Sequence, residues 1–327
     1  MSLRCSSNME IDICSLTNNI KAEAKRLGFF ACGIAHAEPV DKTAANSFTS
    51  WIDKGCHAGM TYMTNYSDKR LNPCALMPEA KSIICVAMNY TPKQRLPEEE
   101  YQIASYAYGL DYHDIIKRKL QALADYIEKT VNQPCSFKIC CDTVPILERY
   151  WAAKAGLGWI GRNHQLIIPD AGNQYFLGEV LTNLPLSYDQ AMQGDCGNCK
   201  ACLKACPTGA LSQCDNLFHA ERCLSYHTIE SRDEIPQQLE NKLDNYIYGC
   251  ERCLLACPHN KHCQPTDETL LQPKDELMAM KKEDWHNLSV DKYRQLFKGS
   301  AVKRAKYEGL MRNIRAARKN NNNSTME

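Results

Sequence analysis

DCGNCKACLKACP, residues Asp195 to Pro207, sets four cysteines two, two and three residues apart and closes on a proline. Gaps of two residues let Cys196, Cys199 and Cys202 reach three irons of one cubane from a single tight loop. The fourth thiolate, Cys206, points away toward a second cluster. Four-thiolate zinc sites also use C-x2-C pairs, but a run of four that ends in proline and is echoed downstream favours iron–sulfur. The echo is DNYIYGCERCLLACP, Asp244 to Pro258, with Cys250, Cys253 and Cys257 ahead of Pro258. Three places upstream of Cys250, where a further cysteine would stand, the chain has Ile247. By the crossing rule Cys257 joins Cys196, Cys199 and Cys202, which leaves Cys206, Cys250 and Cys253 one thiolate short. Cys214, Cys223 and Cys263 are the candidates. Cys214 is very close to Cys206 and Cys263 lies past the helix expected after Pro258, so Cys223, free to fold back between the two runs, is the expected fourth ligand.

Nineteen cysteines in 327 residues are unusual, and the opening MSLRCSSNMEIDIC carries no apolar segment of a signal peptide. A reducing compartment makes metal ligation the better reading than a disulfide framework. The scattered cysteines outside the two runs read as small buried hydrophobes. No apolar run approaches the roughly 20 residues that cross a bilayer, so a soluble cytoplasmic protein is expected. The composition, 44% hydrophobic and 24% charged, is that of an ordinary globular chain, and a net charge of +1 announces no polyanionic partner for the molecule as a whole.

Three units are expected. Residues 1–185 read as a mixed α+β or α/β domain without an obvious βαβ repeat. LTNNIKAEAKRLG is a helix stopped at Gly28. FFACGIAHA and SIICVAMNY suit buried strands, and YHDIIKRKLQALADYIEKTV is the clearest helix. FKICCDTVPILERYWAAKAGLG reads as strand, turn, helix and glycine stop, and HQLIIPDAGNQYFLGEVLTN as a hairpin turning at AGN. Residues 186–265 form a loop-rich, ferredoxin-like unit for two [4Fe–4S] clusters. Residues 266–327 are helical and basic, ending in a low-complexity NNNNSTME tail expected to be disordered.

The element CDTVPILERYWAAKAGLGWIGRNHQLI, the segment SYAYGLDYH, the cysteine pattern and the final FKGSAVKRAKYEGLMRN together resemble the epoxyqueuosine reductase family. The likeness runs to about residue 318, and the D-x-x-P-x-x-E-R-x-W-A-A-x-A-G-L-G-W-I-G-x-N element is highly specific. It implies a nitroreductase-like cobalamin-binding domain joined to a two-cluster ferredoxin-like module, an arrangement shared with reductive dehalogenases. It also implies the reaction: epoxyqueuosine at the wobble position of a tRNA with a queuosine-type anticodon is reduced to queuosine, the last step of that nucleoside's synthesis. Electrons from an external low-potential donor would pass through the clusters to base-off cobalamin. DYHDII, from Asp111, starts like the Asp-x-His-x-x-Gly motif that puts a histidine on cobalt, but Ile116 occupies the glycine position. The failed match agrees with a cobalt that lacks a protein axial ligand and is therefore easier to reduce.

The resemblance places Asp142 at the family's proton-donor position, where burial would have to raise its pKa; the plain alternative is that Asp142 caps the helix that follows. Cobalamin contacts are implied at Arg70, Ser105, Asp111, His113, Asp142, Val144, Trp159 and Asn163. For Asp111 helix capping is the competing role, for Arg70 a solvated surface charge. Gly156, Gly158 and Gly161 follow a helix, so the dinucleotide-loop reading fails its context, and they are read as letting the backbone approach the cofactor. The basic end of the chain, with Lys298, Lys303, Arg304 and Arg312 foremost, is the expected phosphate-binding face; a solvated helix face is the alternative. Two rivals differ in class. A ferredoxin-like electron carrier leaves the first 185 or so residues unexplained, and a reductive dehalogenase usually carries an export signal and no basic RNA-binding end. A monomer is expected.

Overall fold

The computed structural model describes residues 2–4, 10–132, 134–212 and 214–323. Helix α1 (Ile13–Arg26) begins on Asp12, whose carboxylate accepts the N–H groups of Cys14 and Ser15, and stops ahead of Gly28 at φ +91°. It leads into strand β1 (Ala31–His36), and β2 (Ser82–Asn89) returns antiparallel beside it. Helix α2 (Tyr112–Val131) then crosses to β3 (Phe137–Cys140), followed by the short helix α3 (Glu148–Lys154) and strand β4 (Tyr175–Thr182). The sheet order is β1-β2-β4-β3, antiparallel at every step, which makes the domain α+β.

Alternate residues of β2 serve two cores. Ile84 and Val86 pack with Leu16 and Ile20 of α1 and with Ile116 and Leu120 of α2, whereas Ile83 and Cys85 pack with Cys140, Trp151 and Ala152 on the α3 side. Burial on both faces is why SIICVAMN is an unbroken apolar run rather than an alternating one.

The expected hairpin over HQLIIPDAGNQYFLGEVLTN does not form. Leu166–Ile167 pairs with Trp159–Ile160, while β4 inserts between β2 and β3, and only the bridge from Ile168 to Gly172 spans the turn. Two apolar runs joined by a glycine turn look alike whether they pair with each other or with different neighbours.

The expected units share cores. Tyr246–Tyr248 adds in parallel to Gln102–Ile103. Around this pair Tyr101, Tyr108, Ile247 and Tyr248 pack with Trp285, Val302, Leu310 and Ile314 from the C-terminal helices. The last helix, α4 (Lys306–Asn323), runs through the asparagines expected to be disordered; the STME end of that tail lies outside the described residues. Among the described residues no helix is long and apolar enough to cross a membrane.

Candidate active site

Asp111 caps α2: its carboxylate accepts the backbone N–H of His113 at 3.2 Å. The same carboxylate lies 2.7 Å from His113 Nδ1 and 2.8 Å from Lys303 Nζ. The far ring nitrogen, Nε2, lies 3.0 Å from Asp142 Oδ2, which also accepts the Tyr112 hydroxyl at 2.9 Å. The Tyr112 ring is stacked between His113 and Phe176, at 4.1 and 4.2 Å. A continuous polar line, Lys303–Asp111–His113–Asp142, therefore runs from the C-terminal segment to the loop after β3. Asp111 is buried and holds both His113 and Lys303, so the capping and positioning roles coexist.

Asp142 is not a helix cap. Helix α3 begins six residues later, behind Leu147, with no side-chain cap. Instead Asp142 takes the left-handed conformation at φ +56°, and its N–H donates to the Glu148 carboxylate. Its side chain stays 57% exposed. It is open to water, as is Arg149. Arg149 donates to the His164 carbonyl, and burial together with this guanidinium pushes the His164 imidazole down to about 4. Arg70 donates to the carbonyls of Asn65 and Tyr62, at 3.3 and 3.1 Å, within the electrostatic field of Asp142.

The protonation pattern reverses one expectation. Burial works to raise the Asp142 carboxyl, but the hydrogen bonds from His113 and Tyr112 outweigh it and leave its pKa below the ordinary value. Burial likewise opposes a charge on His113, and the bonds to Asp111 and Asp142 overcome it, so the imidazole is raised to about 9. At neutral pH the proton of the pair sits on His113, one hydrogen bond from Asp142. Both ring nitrogens face carboxylates.

The eight patterned cysteines fall into two groups. Cys196, Cys199, Cys202 and Cys257 line one cavity of about 60 Å³ together with Arg162, Asn163 and His259. Cys206, Cys223, Cys250 and Cys253 lie within electrostatic reach of one another. Cys214 is exposed, and the Cys263 thiol donates to the Ala171 carbonyl at 2.7 Å. Ile247 has no exposed surface and its strand pairs with Gln102–Ile103, so that position faces a core where a thiolate would reach no cluster. The donor set suits iron–sulfur. Asn163 Nδ2 and Arg162 Nε are buried without partners at the first cavity, and electron-rich sulfur is what such orphaned N–H groups need. Asn163 thus belongs to the cluster cavity. Trp159, read as a cofactor contact, is set against His259, ring centroids 5.2 Å apart, beside Gly194.

Ser105 is buried, and its hydroxyl donates to Glu251 at 2.6 Å. Val144 is half-buried, two residues beyond Asp142. Gly158 and Gly161 make room for the chain's own Ile167, and Gly156 for Gln190. Arg312 is buried and donates to the carbonyls of His227, Ser231 and Asp233, so it is a structural clamp and offers nothing to phosphate. A guanidinium can be satisfied by carbonyls it meets only in the fold, which a basic run in sequence does not disclose. Lys298, Lys303 and Arg304 are exposed; Arg304 pairs with Glu230 and lies over the Tyr62 ring, 5.8 Å from its centroid. Tyr62 and Tyr66 are 42% and 61% exposed, and Lys69 stands over Tyr66. Sequence reasoning missed both tyrosines; their signal was a TYMTNY segment next to SDKR.

Comparison with known proteins extends this geometry. The family model "Epoxyqueuosine reductase QueG, DUF1730" matches residues 70–143, and "4Fe-4S double cluster binding domain" matches 195–260. The chain is 41% identical to the epoxyqueuosine reductase of Cellulophaga algicola over 295 residues, covering 90% of this chain and 95% of that one. It is 35% identical to that of Escherichia coli K12 over 317 residues, covering 94% and 82%. Among solved structures, an epoxyqueuosine reductase with a tRNA-Tyr epoxyqueuosine-modified stem loop superposes with a TM-score of 0.86 at 26% identity, covering 94% of this chain and 82% of that one. The enzyme of Streptococcus thermophilus superposes with a TM-score of 0.83 at 28% identity, covering 93% and 80%.

Proposed function

The chain belongs to the epoxyqueuosine reductase family, and from that premise we propose that it reduces the epoxide of epoxyqueuosine in a tRNA anticodon loop to the alkene of queuosine. The observation that carries the reading is the Lys303–Asp111–His113–Asp142 line, which ends on a carboxylate open to water. The reaction consumes two electrons and two protons and releases the epoxide oxygen as water. That oxygen is a poor leaving group until it is protonated. Asp142 is the residue that hands it a proton, and the imidazolium of His113 supplies that proton to Asp142. Asp111 fixes the ring from behind, Lys303 balances the Asp111 charge, and Tyr112 orients the Asp142 oxygen.

The nitroreductase-like domain would hold cobalamin beside Asp142, with Arg70, Val144 and Arg149 as its neighbours; cobalamin supplies a strongly reducing metal centre when bound. His113 is tied to two carboxylates, which supports a base-off cofactor. Cys196, Cys199, Cys202 and Cys257 would hold one [4Fe–4S] cluster, and Cys206, Cys223, Cys250 and Cys253 the other, filled from an external low-potential donor. Lys298 and Arg304 would contact phosphates, and Tyr62 and Tyr66 offer faces on which unpaired anticodon bases stack. A single copy in the cytoplasm suffices, since one chain supplies every residue named.

The test is direct. Protein prepared anaerobically with iron, sulfide and cobalamin should convert an epoxyqueuosine-containing anticodon stem loop to queuosine, read by mass spectrometry of the nucleosides. Asp142→Asn should lower turnover by at least about 10²-fold while corrinoid and cluster absorbance persist. Near-normal turnover in that variant would sink the assignment.

A further inference from the structure

Cys196, Cys199, Cys202 and Cys257, the proposed ligands of the first cluster, line one cavity with Asp195 and Pro258, both of which are exposed at the surface. Every residue beside Cys196 and Cys199 in sequence is exposed: Asp195, Gly197, Asn198 and Lys200. The second set is more enclosed. Cys250 stands between buried Gly249 and Glu251, and buried Leu224 follows Cys223. This set also lies toward the active site. Tyr248, two residues before Cys250, accepts the Tyr106 hydroxyl at 3.3 Å. The Tyr106 ring meets that of Tyr112 edge-on at 6.2 Å, and Tyr112 donates to Asp142. The first set is therefore the outer one, on the side where electrons from outside the molecule must arrive.

The surface over the first set is cationic. Lys200 caps the helical turn Ala201–Ala205, and the Lys204 N–H donates to the Lys200 carbonyl at 3.0 Å, so the two side chains share one face. Lys261 lies on the turn Pro258–His262, which directly follows Cys257. All three lysines are exposed, and no carboxylate among the described residues pairs with any of them. Asp195, the one acid lining the cavity, accepts the Gly197 N–H at 2.6 Å. Leu255, 40% exposed, ends the turn Arg252–Leu255, which packs against Ala201–Ala205. Unpaired lysines around an exposed leucine suit a small, transient interface, in which the apolar residue gives contact and the charges steer the partner.

We propose that an acidic, low-potential electron-carrier protein docks on this face and delivers its electrons to the cluster of Cys196, Cys199, Cys202 and Cys257. The inference rests on the reductase reading, in which each epoxide consumes two electrons. A one-electron carrier is oxidised by one electron in each encounter as the cluster is reduced by one. Two encounters therefore serve one turnover, and no proton crosses the interface. The RNA is the other polyanion in the reaction. Its epoxide has to reach Asp142, and the C-terminal segment that touches the Asp142 line offers its own exposed cations, Lys298, Lys303 and Arg304. The lysines of the first cysteine run are left to a different partner.

A double charge reversal, Lys200→Glu with Lys204→Glu, tests this in cluster-loaded protein. The probe is reduced plant-type [2Fe–2S] ferredoxin, a small acidic protein. Reduced methyl viologen, a small dication that needs no docking face, is the control. Reduction of the clusters by ferredoxin, followed by stopped-flow absorbance, should slow by about 10-fold or more in the variant at low salt. The native rate should fall toward the variant's as salt screens the lysines. Fluorescence anisotropy of labelled, oxidised ferredoxin, a readout free of turnover, should show binding weakened by a similar factor. Reduction by methyl viologen and affinity for the RNA should stay native. Native ferredoxin kinetics in the variant would overturn the docking face. A loss of RNA affinity with ferredoxin kinetics intact would overturn it too and give the lysines to phosphate. Methyl viologen separates these outcomes from the reductase reading: native protein that it reduces but that leaves the epoxide intact would overturn that reading instead.

Discussion

Asp142 holds a left-handed backbone at φ +56°, a conformation that a non-glycine residue keeps only when its surroundings enforce it, and here Glu148 does so by taking its N–H. The strain turns the carboxylate toward His113, and the pair's proton then rests on the imidazole. The folded His113 pKa, about 9, stands above its ordinary 6.5. Stability from this charged contact is therefore fully present below pH 6.5 and is lost as the pH rises through 9. Turnover should follow the same sign, level through neutrality and falling as the pH rises through about 9. A kcat–pH profile checks this, and His113→Asn should drop kcat by about 10²-fold and abolish the alkaline limb. From sequence, Asp111 before an apolar periodic run is legible as a cap. That the same carboxylate also orients His113 was not, because it depends on where β3 brings Asp142.

Among the elements, α2 was fully legible: its apolar residues recur at helical spacing, and Ile115, Leu120, Leu123 and Ile127 are indeed buried. Strand partners were not, since the apolar run of β4 carries no mark of lying between β2 and β3. The basic run before and within α4 was legible as charge but not as role. Arg312→Met should leave three carbonyls, two of them buried, without a donor and lower stability by about 3 kcal/mol, read as a fall in denaturation midpoint. RNA affinity and its salt dependence should then stay unchanged in the folded fraction. The loop carrying Tyr62 and Tyr66 behaves oppositely. Tyr66→Ala should weaken binding of an anticodon stem loop by roughly 5- to 100-fold, since one stacked base is worth about 1–3 kcal/mol, and should leave stability untouched. Fluorescence anisotropy of labelled RNA measures it, and Tyr66→Trp should restore the affinity that Ala loses.

At the scale of the whole molecule, two cysteine runs about fifty residues apart in sequence (Cys196 to Cys250) have to interlock, and the cores decide how. Asn313 of α4 donates to the carbonyls of Thr228 and Ile247, and Tyr246–Tyr248 is pinned against Gln102–Ile103, so the second run is fixed to both the first domain and the last helix. That anchoring faces Ile247 inward, and on the proposed division of the thiolates the fourth position of the second set falls to Cys223, from a separate segment. Cys223→Ala should therefore lose one of two clusters, about half of the bound iron and sulfide, whereas Cys214→Ala and Cys263→Ala should lose neither. The variant's remaining cluster should be the one beside Asn163 and Arg162, whose buried, unpartnered N–H groups line the same cavity as its cysteines. Hydrogen bonds to cluster sulfur stabilise the more negative, reduced state, so Asn163→Leu should shift that cluster's potential downward in both the native and the Cys223→Ala backgrounds. Redox titration followed by electron paramagnetic resonance distinguishes the two clusters. An unchanged potential in the Cys223→Ala background would mean that the surviving cluster is not held by Cys196, Cys199, Cys202 and Cys257, and the division of the eight thiolates would have to be redrawn.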